Sequence, residues 1–289
     1  MNYKTIKRII FRIFLFGFAF IGFVFVAIYI AMHFGLLNVR GAVSARNAYF
    51  NITKDVRIEN KVQNNSIILT EDDWATTDQW ALMKEVFTRD EVVIKKAAQD
   101  ANVSPRLILS AVIGEQFRFF NNRREAFKTY FEPLKILASL SNTSFGIAGL
   151  KPKTIGQIED NLKNTSSPFY LGPEMEHVVD HLDESVDIET DRMNRITDSK
   201  NPYYSYLYVG LYMKEIMAQW QRKGFDISHR PEILATLYNL GFYYSAPNPD
   251  PQAGGSVINI NNINYTFGDI AYEFYYSSEL SDIYPIDVQ

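Results

Sequence analysis

The chain contains no cysteine, which excludes a disulfide framework and any site that depends on a thiolate ligand or nucleophile. Acidic residues are absent from residues 1–46, where every charged side chain is basic: Lys4, Lys7, Arg8, Arg12, Arg40 and Arg46. All 33 acidic residues therefore follow residue 46, where they outnumber the basic ones. Because nucleic acids bind to basic surfaces, this balance argues against a nucleic-acid partner. The hydrophobic fraction of 47% excludes a mostly disordered chain.

An uncharged apolar run covers residues 13–32, and the apolar character continues to Leu37. A helix of this length spans about 30 Å, the thickness of the hydrocarbon core of a bilayer. The run is longer than the apolar region of an ordinary signal peptide, and it lacks the polar face of a helix on a protein surface. We therefore predict an uncleaved transmembrane signal anchor over 13–37.

The charges around this run predict its orientation. Four basic residues lie in residues 1–12, which we expect to be a cytoplasmic tail by the positive-inside rule. The rest of the chain would then lie outside an inner (cytoplasmic) membrane crossed once, in the periplasm or its equivalent. We divide that part into a stalk or preamble over 38–84 and a domain over 85–289.

Helical periodicity dominates the outer part, so the predicted class is mainly α. Ser104 and Pro105 are typical of a helix start, as N-cap and first helical residue. Further patterns predict helices over 123–141, 154–163, 173–184, 203–222, 231–240 and 267–277.

Glu115 is the unusual residue of the helix that begins at Pro105. It shares one face with Ile108, Val112 and Phe119, at steps of four, three and four residues. Desolvation on an apolar face would raise the pKa of the carboxyl, as a general acid near neutral pH requires. The alternative is an ion pair near the helix end. The arginines nearby in sequence are Arg118, Arg123 and Arg124.

Residues 103–116 (VSPRLILSAVIGEQ) resemble the catalytic helix of lytic transglycosylases with the lysozyme-like fold, in which a V-x-P-x-L start leads to a glutamate. Three later blocks are similar to the family's further motifs and occur in the family's order. They are 144–154 (SFGIAGLKPKT), 201–216 and 233–241 (ILATLYNLG). The resemblance covers roughly 90–277 and implies a lysozyme-like helical domain with Glu115 as its catalytic residue.

The resemblance also implies a set of substrate-binding residues: Ser144, Gly146, Gly149, Tyr238 and Asn239. Glycines let the backbone approach a sugar closely, whereas the other three side chains offer hydrogen bonds or an aromatic face. Each polar residue also has a structural interpretation: Ser144 as a helix cap, Tyr238 as core and Asn239 as a helix-end residue before a C-terminal glycine.

The chain departs from the family pattern in four places. Gly149 stands where the family usually has glutamine, and Gln116 stands where serine follows the catalytic glutamate. The interval from Glu115 to Ser144 is long, which predicts an inserted helix over 123–141, and the acidic segment 173–199 is a second predicted insertion. These departures predict a substrate preference that differs from the family's, or loss of activity.

The implied function is a peptidoglycan lytic transglycosylase or a muramidase-like glycosidase, acting on glycan strands without a metal or cofactor. The alternative is a non-catalytic glycan-binding or envelope-assembly protein of the same fold, with other envelope proteins as partners. A weaker alternative is a zinc site on a helix that carries His177 and His181 at i, i+4. That helix lacks the glutamate of the H-E-x-x-H motif, so we expect no metal.

Overall fold

The computed structural model describes residues 16–18, 20, 22–24, 26–27, 73–120, 148–181, 185–198, 201–261 and 263–287. Most of the predicted anchor, the preamble before Asp73 and the predicted helix over 123–141 lie outside these ranges. The described positions between 16 and 27 are helical. Within the ranges above, no helix is both long and apolar enough to cross a bilayer.

The described part is mainly α, as the periodicity predicts. Its helices are α1 (Asp78–Arg89), α2 (Glu91–Ala101), α3 (Pro105–Phe120), α4 (Pro152–Lys163), α5 (Ile188–Thr197), α6 (Tyr203–Arg222), α7 (Pro231–Leu240) and α8 (Phe267–Tyr276). Short 3-10 turns cover Asp73–Thr76, Pro173–Met175 and Phe242–Tyr244. An antiparallel hairpin, β1 (Val257–Ile260) with β2 (Ile263–Thr266), pairs Ile258 with Tyr265.

Helix α3 is the centre of the core. Its residues from Leu107 to Ile113 are all buried, and it contacts α2, α6, α7 and α8. Gly114 allows the ring of Phe267 to lie against the helix, because a Cβ at this glycine would stand 2.8 Å from two ring carbons. A helix buried on all sides needs an apolar surface all round, which its sequence supplies.

Local sequence signals fix the helix ends. Thr77 caps α1 by accepting a hydrogen bond from the amide of Trp80 at 3.1 Å. Asn102 ends α2 in the left-handed region at φ 53°. Thr266 and Asp269 form a reciprocal capping box at the start of α8.

The folded part begins before the predicted boundary at residue 85. Trp74 and Trp80 lie in the same core as α3, with their rings edge to face at 4.9 Å. The domain therefore includes at least part of the segment that the sequence assigned to a preamble.

The helix predicted over 173–184 is wrong within the described residues. The chain forms the 3-10 turn Pro173–Met175 and irregular turns after it. Gly172 enters the turn at φ 115°, and Asp180 binds Lys163 of α4 at 2.8 Å. These contacts favour a turn that lies against α4, which the charge pattern alone did not reveal.

The acidic segment 173–199 includes α5, which is docked through a buried polar network. Glu159 of α4 accepts hydrogen bonds from Tyr208 of α6 at 2.6 Å and from Nε of Arg192 of α5 at 2.8 Å. Arg195 pairs with Asp191 at 3.0 Å. Because these charges are buried and paired, they hold α4, α5 and α6 in one arrangement.

Arg106, in the first turn of α3, is fully buried and holds the C-terminal segment. All five of its N–H groups donate to backbone carbonyls: Tyr275 (2.7 Å), Phe274, Ser277 and Tyr284 (2.8 Å each) and Glu279 (2.9 Å). Burial lowers the pKa of the guanidinium to about 10, which leaves it charged at neutral pH. The residue thus satisfies the carbonyls at the C-terminal end of α8 and fixes the chain that follows.

We predict that Arg106→Met lowers the free energy of unfolding by about 3–5 kcal/mol, because it leaves several buried carbonyls without donors. Arg222→Met is the matched control. Arg222 also donates to backbone carbonyls, those of Pro168 and Tyr170, but it is exposed, so its loss should cost less than about 1 kcal/mol. Denaturant titration of both variants measures the difference, and equal costs would contradict this role for Arg106.

Candidate functional site

Helix α3 delivers Glu115 to the interior, as its position on the apolar face predicts. The residue is 3% exposed, and Val112 and Ile108, one and two turns earlier on the same face, are fully buried. A carboxyl at such a position is costly to bury as an anion unless it has partners. The arrangement around it therefore decides what it can do.

Arg118, one turn later on α3, is a partner of Glu115. Its Nη2 donates to Oε2 of Glu115 in an i, i+3 ion pair. The glutamate side chain is 4% exposed and the arginine side chain 20%. The ion pair that the sequence offered as an alternative is therefore present, with Arg118 as the arginine involved.

Gly149 closes directly over the Glu115 carboxyl. It has φ +63°, and a Cβ at this position would stand 2.8 Å from Cδ of Glu115, 3.1 Å from Cγ and closer still to Oε2. Only a residue without a side chain can bring backbone this near to the carboxyl. Among the predicted substrate residues that the structure describes, Gly149 thus lies directly against Glu115.

Tyr238 of α7 lies beside the same group. Its hydroxyl donates to the carbonyl of Ala148 at 2.6 Å, so it holds the turn that carries Gly149. Burial, and after it the charge of Glu115, raises the pKa of Tyr238 well above its ordinary value. The turn at 148–150, called the glycine turn below, and Tyr238 of α7 therefore both lie beside the carboxyl of Glu115.

Asn239, the next residue on α7, makes a structural contact. Its Oδ1 accepts from the amide of Ser256 at 2.8 Å, and the carbonyl of Ser256 accepts from the amide of Phe267 at 3.2 Å. The side chain thus holds the segment that leads to the hairpin and α8. The predicted contact of Asn239 with a sugar stays a prediction.

Ser144 and Gly146 lie outside the described residues, as does the predicted helix over 123–141. The sequence-based site is therefore seen at Glu115, Gly149, Tyr238 and Asn239.

The arrangement of His177 and His181 differs from that of a zinc helix. Nδ1 of His177 is 2.8 Å from Oδ2 of Asp180, and Nε2 of His181 is 3.9 Å from Asp191. The two histidines do not share a helix, so the spacing argument for one face no longer applies. Across the described ranges, no group of three or more metal-ligating residues occurs.

Glu215 of α6 is a second buried carboxyl that sequence reasoning missed. It is fully buried, and Nδ2 of Asn161 donates to its Oε2 at 2.9 Å. Its Oε1 has no hydrogen-bond partner within the described part of the chain. Burial raises the pKa of this carboxyl well above its ordinary value. Sequence pattern gave no signal, because Lys214-Glu215 also occurs on ordinary exposed helix faces.

Comparisons with known proteins identify no relative of this chain. No family model matches the chain, and neither a curated protein nor a solved structure matches it. The resemblance to lytic transglycosylases therefore stays an expectation from the sequence motifs.

We predict that Gly149→Ala lowers the free energy of unfolding by about 2–4 kcal/mol, through its positive φ and its overlap with Glu115. Gly224→Ala is the matched control, because Gly224 has φ +84° but a Cβ at this position would have no atom within 4 Å. That control should cost only about 1 kcal/mol.

The same measurement in a Glu115→Ala background isolates the contact. In that background, the loss of unfolding free energy caused by Gly149→Ala should fall to that caused by Gly224→Ala. The difference between the two backgrounds is the interaction energy that a double-mutant cycle measures. An unchanged cost would show that Gly149 and Glu115 are not in contact.

We predict that Glu215→Gln stabilises the protein increasingly as the pH rises above the ordinary glutamate pKa of 4.5. In that range the unfolded chain releases the proton while the folded carboxyl keeps it, so the wild type loses about 1.4 kcal/mol per pH unit. Below pH 4.5 the free energies of unfolding of the wild type and of Glu215→Gln should differ by a constant amount. Thermal unfolding across the pH range measures the gap, with exposed Glu85→Gln as control. A gap independent of pH would contradict a protonated Glu215.

Proposed function

We propose that the chain is a membrane-anchored peptidoglycan lytic transglycosylase of lysozyme-like fold, with Glu115 as the catalytic residue. The observation that carries the proposal is the close approach of Gly149 to the Glu115 carboxyl. Two segments that resemble separate family motifs meet there, and Tyr238 from a third holds the glycine turn in place. Contact between motifs distant in sequence is a stronger support than the motifs alone.

In the proposed reaction, protonated Glu115 donates its proton to the oxygen between N-acetylmuramic acid and N-acetylglucosamine. The bond from C1 of the muramic residue to this oxygen breaks, and the acetamido carbonyl stabilises the developing positive charge at C1. Glu115, now a carboxylate, takes the proton of the C6 hydroxyl. The C6 oxygen attacks C1 and closes a 1,6-anhydro ring. One carboxyl therefore serves as acid and then as base, which agrees with a site that offers one buried glutamate next to a glycine turn.

The anchoring part of the proposal depends on the N-terminal sequence. At the described positions between residues 16 and 27, the phenylalanines face outward: Phe16, Phe18, Phe20 and Phe23 are 67–70% exposed. Exposed aromatic and aliphatic side chains on a helix are suited to lipid. Anchoring in the inner membrane by this helix would place the catalytic domain at the cell wall.

A second candidate function is glycan binding without cleavage. The ion pair between Glu115 and Arg118 favours it, because a neighbouring arginine stabilises the ionised carboxylate over the protonated acid. The glycine in place of the family's glutamine at residue 149 also favours it. This candidate predicts retention of peptidoglycan without any cleaved product.

We predict that Glu115→Gln lowers peptidoglycan cleavage by at least about 100-fold, because an amide cannot donate and then recover the proton. The fold should persist, since the amide oxygen can still accept from Arg118. Release of anhydro-muropeptides, measured by mass spectrometry, gives the activity, and thermal unfolding of the same preparation gives the stability.

Glu232→Gln is the matched control, because Glu232 is also a buried glutamate paired with an arginine close in sequence, Arg230. Its activity should stay at the wild-type level. A Glu115→Gln variant that still cuts, or one that loses activity only by unfolding, would remove Glu115 from catalysis.

A further inference from the structure

Arg118 combines an ion pair with an unsatisfied donor. Its guanidinium lies over the ring of Phe267, with Cζ 5.7 Å from the ring centroid, and its Nη2 donates to Glu115. Its Nε is buried and has no hydrogen-bond partner in the described part of the chain. Arginine offers five donors in a planar fork, so this group has capacity for a second acceptor.

The side chain can also reach a ligand. It is 20% exposed, whereas the glutamate that it contacts is 4% exposed. Of the two partners, Arg118 is therefore the one turned toward solvent. The described ranges contain no other carboxylate within ion-pair distance of it.

The ion pair conflicts with acid catalysis at rest. An ionised Glu115 has no proton to give, and contact with a guanidinium favours the ionised form. Acid catalysis by this residue requires that the guanidinium be drawn away or that the proton be supplied at low pH. A carboxylate on the substrate would compete with Glu115 for the same donors, because arginine binds carboxylates strongly and often in bidentate fashion.

We propose that Arg118 is a positioning and specificity-determining residue, which pairs with Glu115 at rest and transfers to a carboxylate of an acidic glycan when substrate binds. Glu115 then takes up a proton from solvent and becomes the acid. This inference rests on the proposed function, whose substrate carries carboxylates on its muramic residues or its peptide stems. It assigns to Arg118 a preference for acidic over neutral glycans.

Binding measurements test the exchange without any cleavage. The acidic oligomer is the disaccharide in which N-acetylglucosamine precedes N-acetylmuramic acid, which carries a free carboxylate and contains no bond that the proposed reaction cleaves. The neutral oligomer is the N-acetylglucosamine disaccharide. On the full chain, Glu115→Gln should bind the acidic oligomer about tenfold or more tightly than wild type does, because the competing carboxylate is gone. Its affinity for the neutral oligomer should not change.

The same comparison with Arg118 variants completes the test. Arg118→Gln should lose the preference for the acidic oligomer, and Arg118→Lys should keep part of it because the charge remains. Unchanged preference in Arg118→Gln, or equal gains for both oligomers in Glu115→Gln, would overturn the proposal.

The pH profile of cleavage distinguishes this inference from the proposed function. In Arg118→Gln, the pH at which activity declines through loss of the Glu115 proton should move upward, because the neighbouring positive charge is gone. An unmoved profile, in a variant that still cuts, would refute the role of Arg118 and leave the catalytic Glu115 intact. Cleavage by Glu115→Gln would instead refute the proposed function, whatever Arg118 does.

Discussion

The burial of α3 on all sides is the constraint on which the rest of the structure depends. A helix in that position can carry charge only if the protein supplies partners, because an isolated ion in the interior is very costly. Arg106 and Glu115 are its two deeply buried charges, about two and a half turns apart. The C-terminal segment folds around the first, and the glycine turn and α7 close around the second. The C-terminal segment, the glycine turn and α7 thus all depend on how the charges of this one helix are neutralised.

The charges of Arg106 and Glu115 are stabilised in different ways. Five backbone carbonyls, fixed by α8 and the chain after it, saturate Arg106. Glu115 is instead met by a partly exposed arginine side chain and by a glycine that occupies no side-chain volume. A carbonyl cage cannot rearrange without unfolding the C-terminal segment, whereas a side-chain partner can leave. The first arrangement is suited to stability, and the second is suited to a carboxyl whose protonation changes during a reaction.

The sequence predicted the elements better than their contacts. Periodicity gave the bounds of α6 and α7, and the steps from Ile108 to Glu115 correctly indicated a buried carboxyl. The carbonyl partners of Arg106 lie more than 160 residues away, and Gly149 is also far from Glu115 in sequence, so no local pattern reports these contacts. The hairpin was missed although its residues alternate, because each strand has only four residues. Fully buried Glu215 was missed because burial of a helix face by tertiary contacts is invisible in a local charge pattern.

The most direct measurement of the central claim is digestion of purified peptidoglycan by the full chain in water enriched in oxygen-18, followed by mass spectrometry of the products. Ring closure by the C6 hydroxyl uses no water, so a transglycosylase yields muramic ends that lack the heavy isotope and are lighter by one water than hydrolysed ends. We expect these anhydro ends from the wild-type protein. Products labelled at C1 would indicate a muramidase instead, and the absence of any cleaved product would contradict a catalytic role for Glu115.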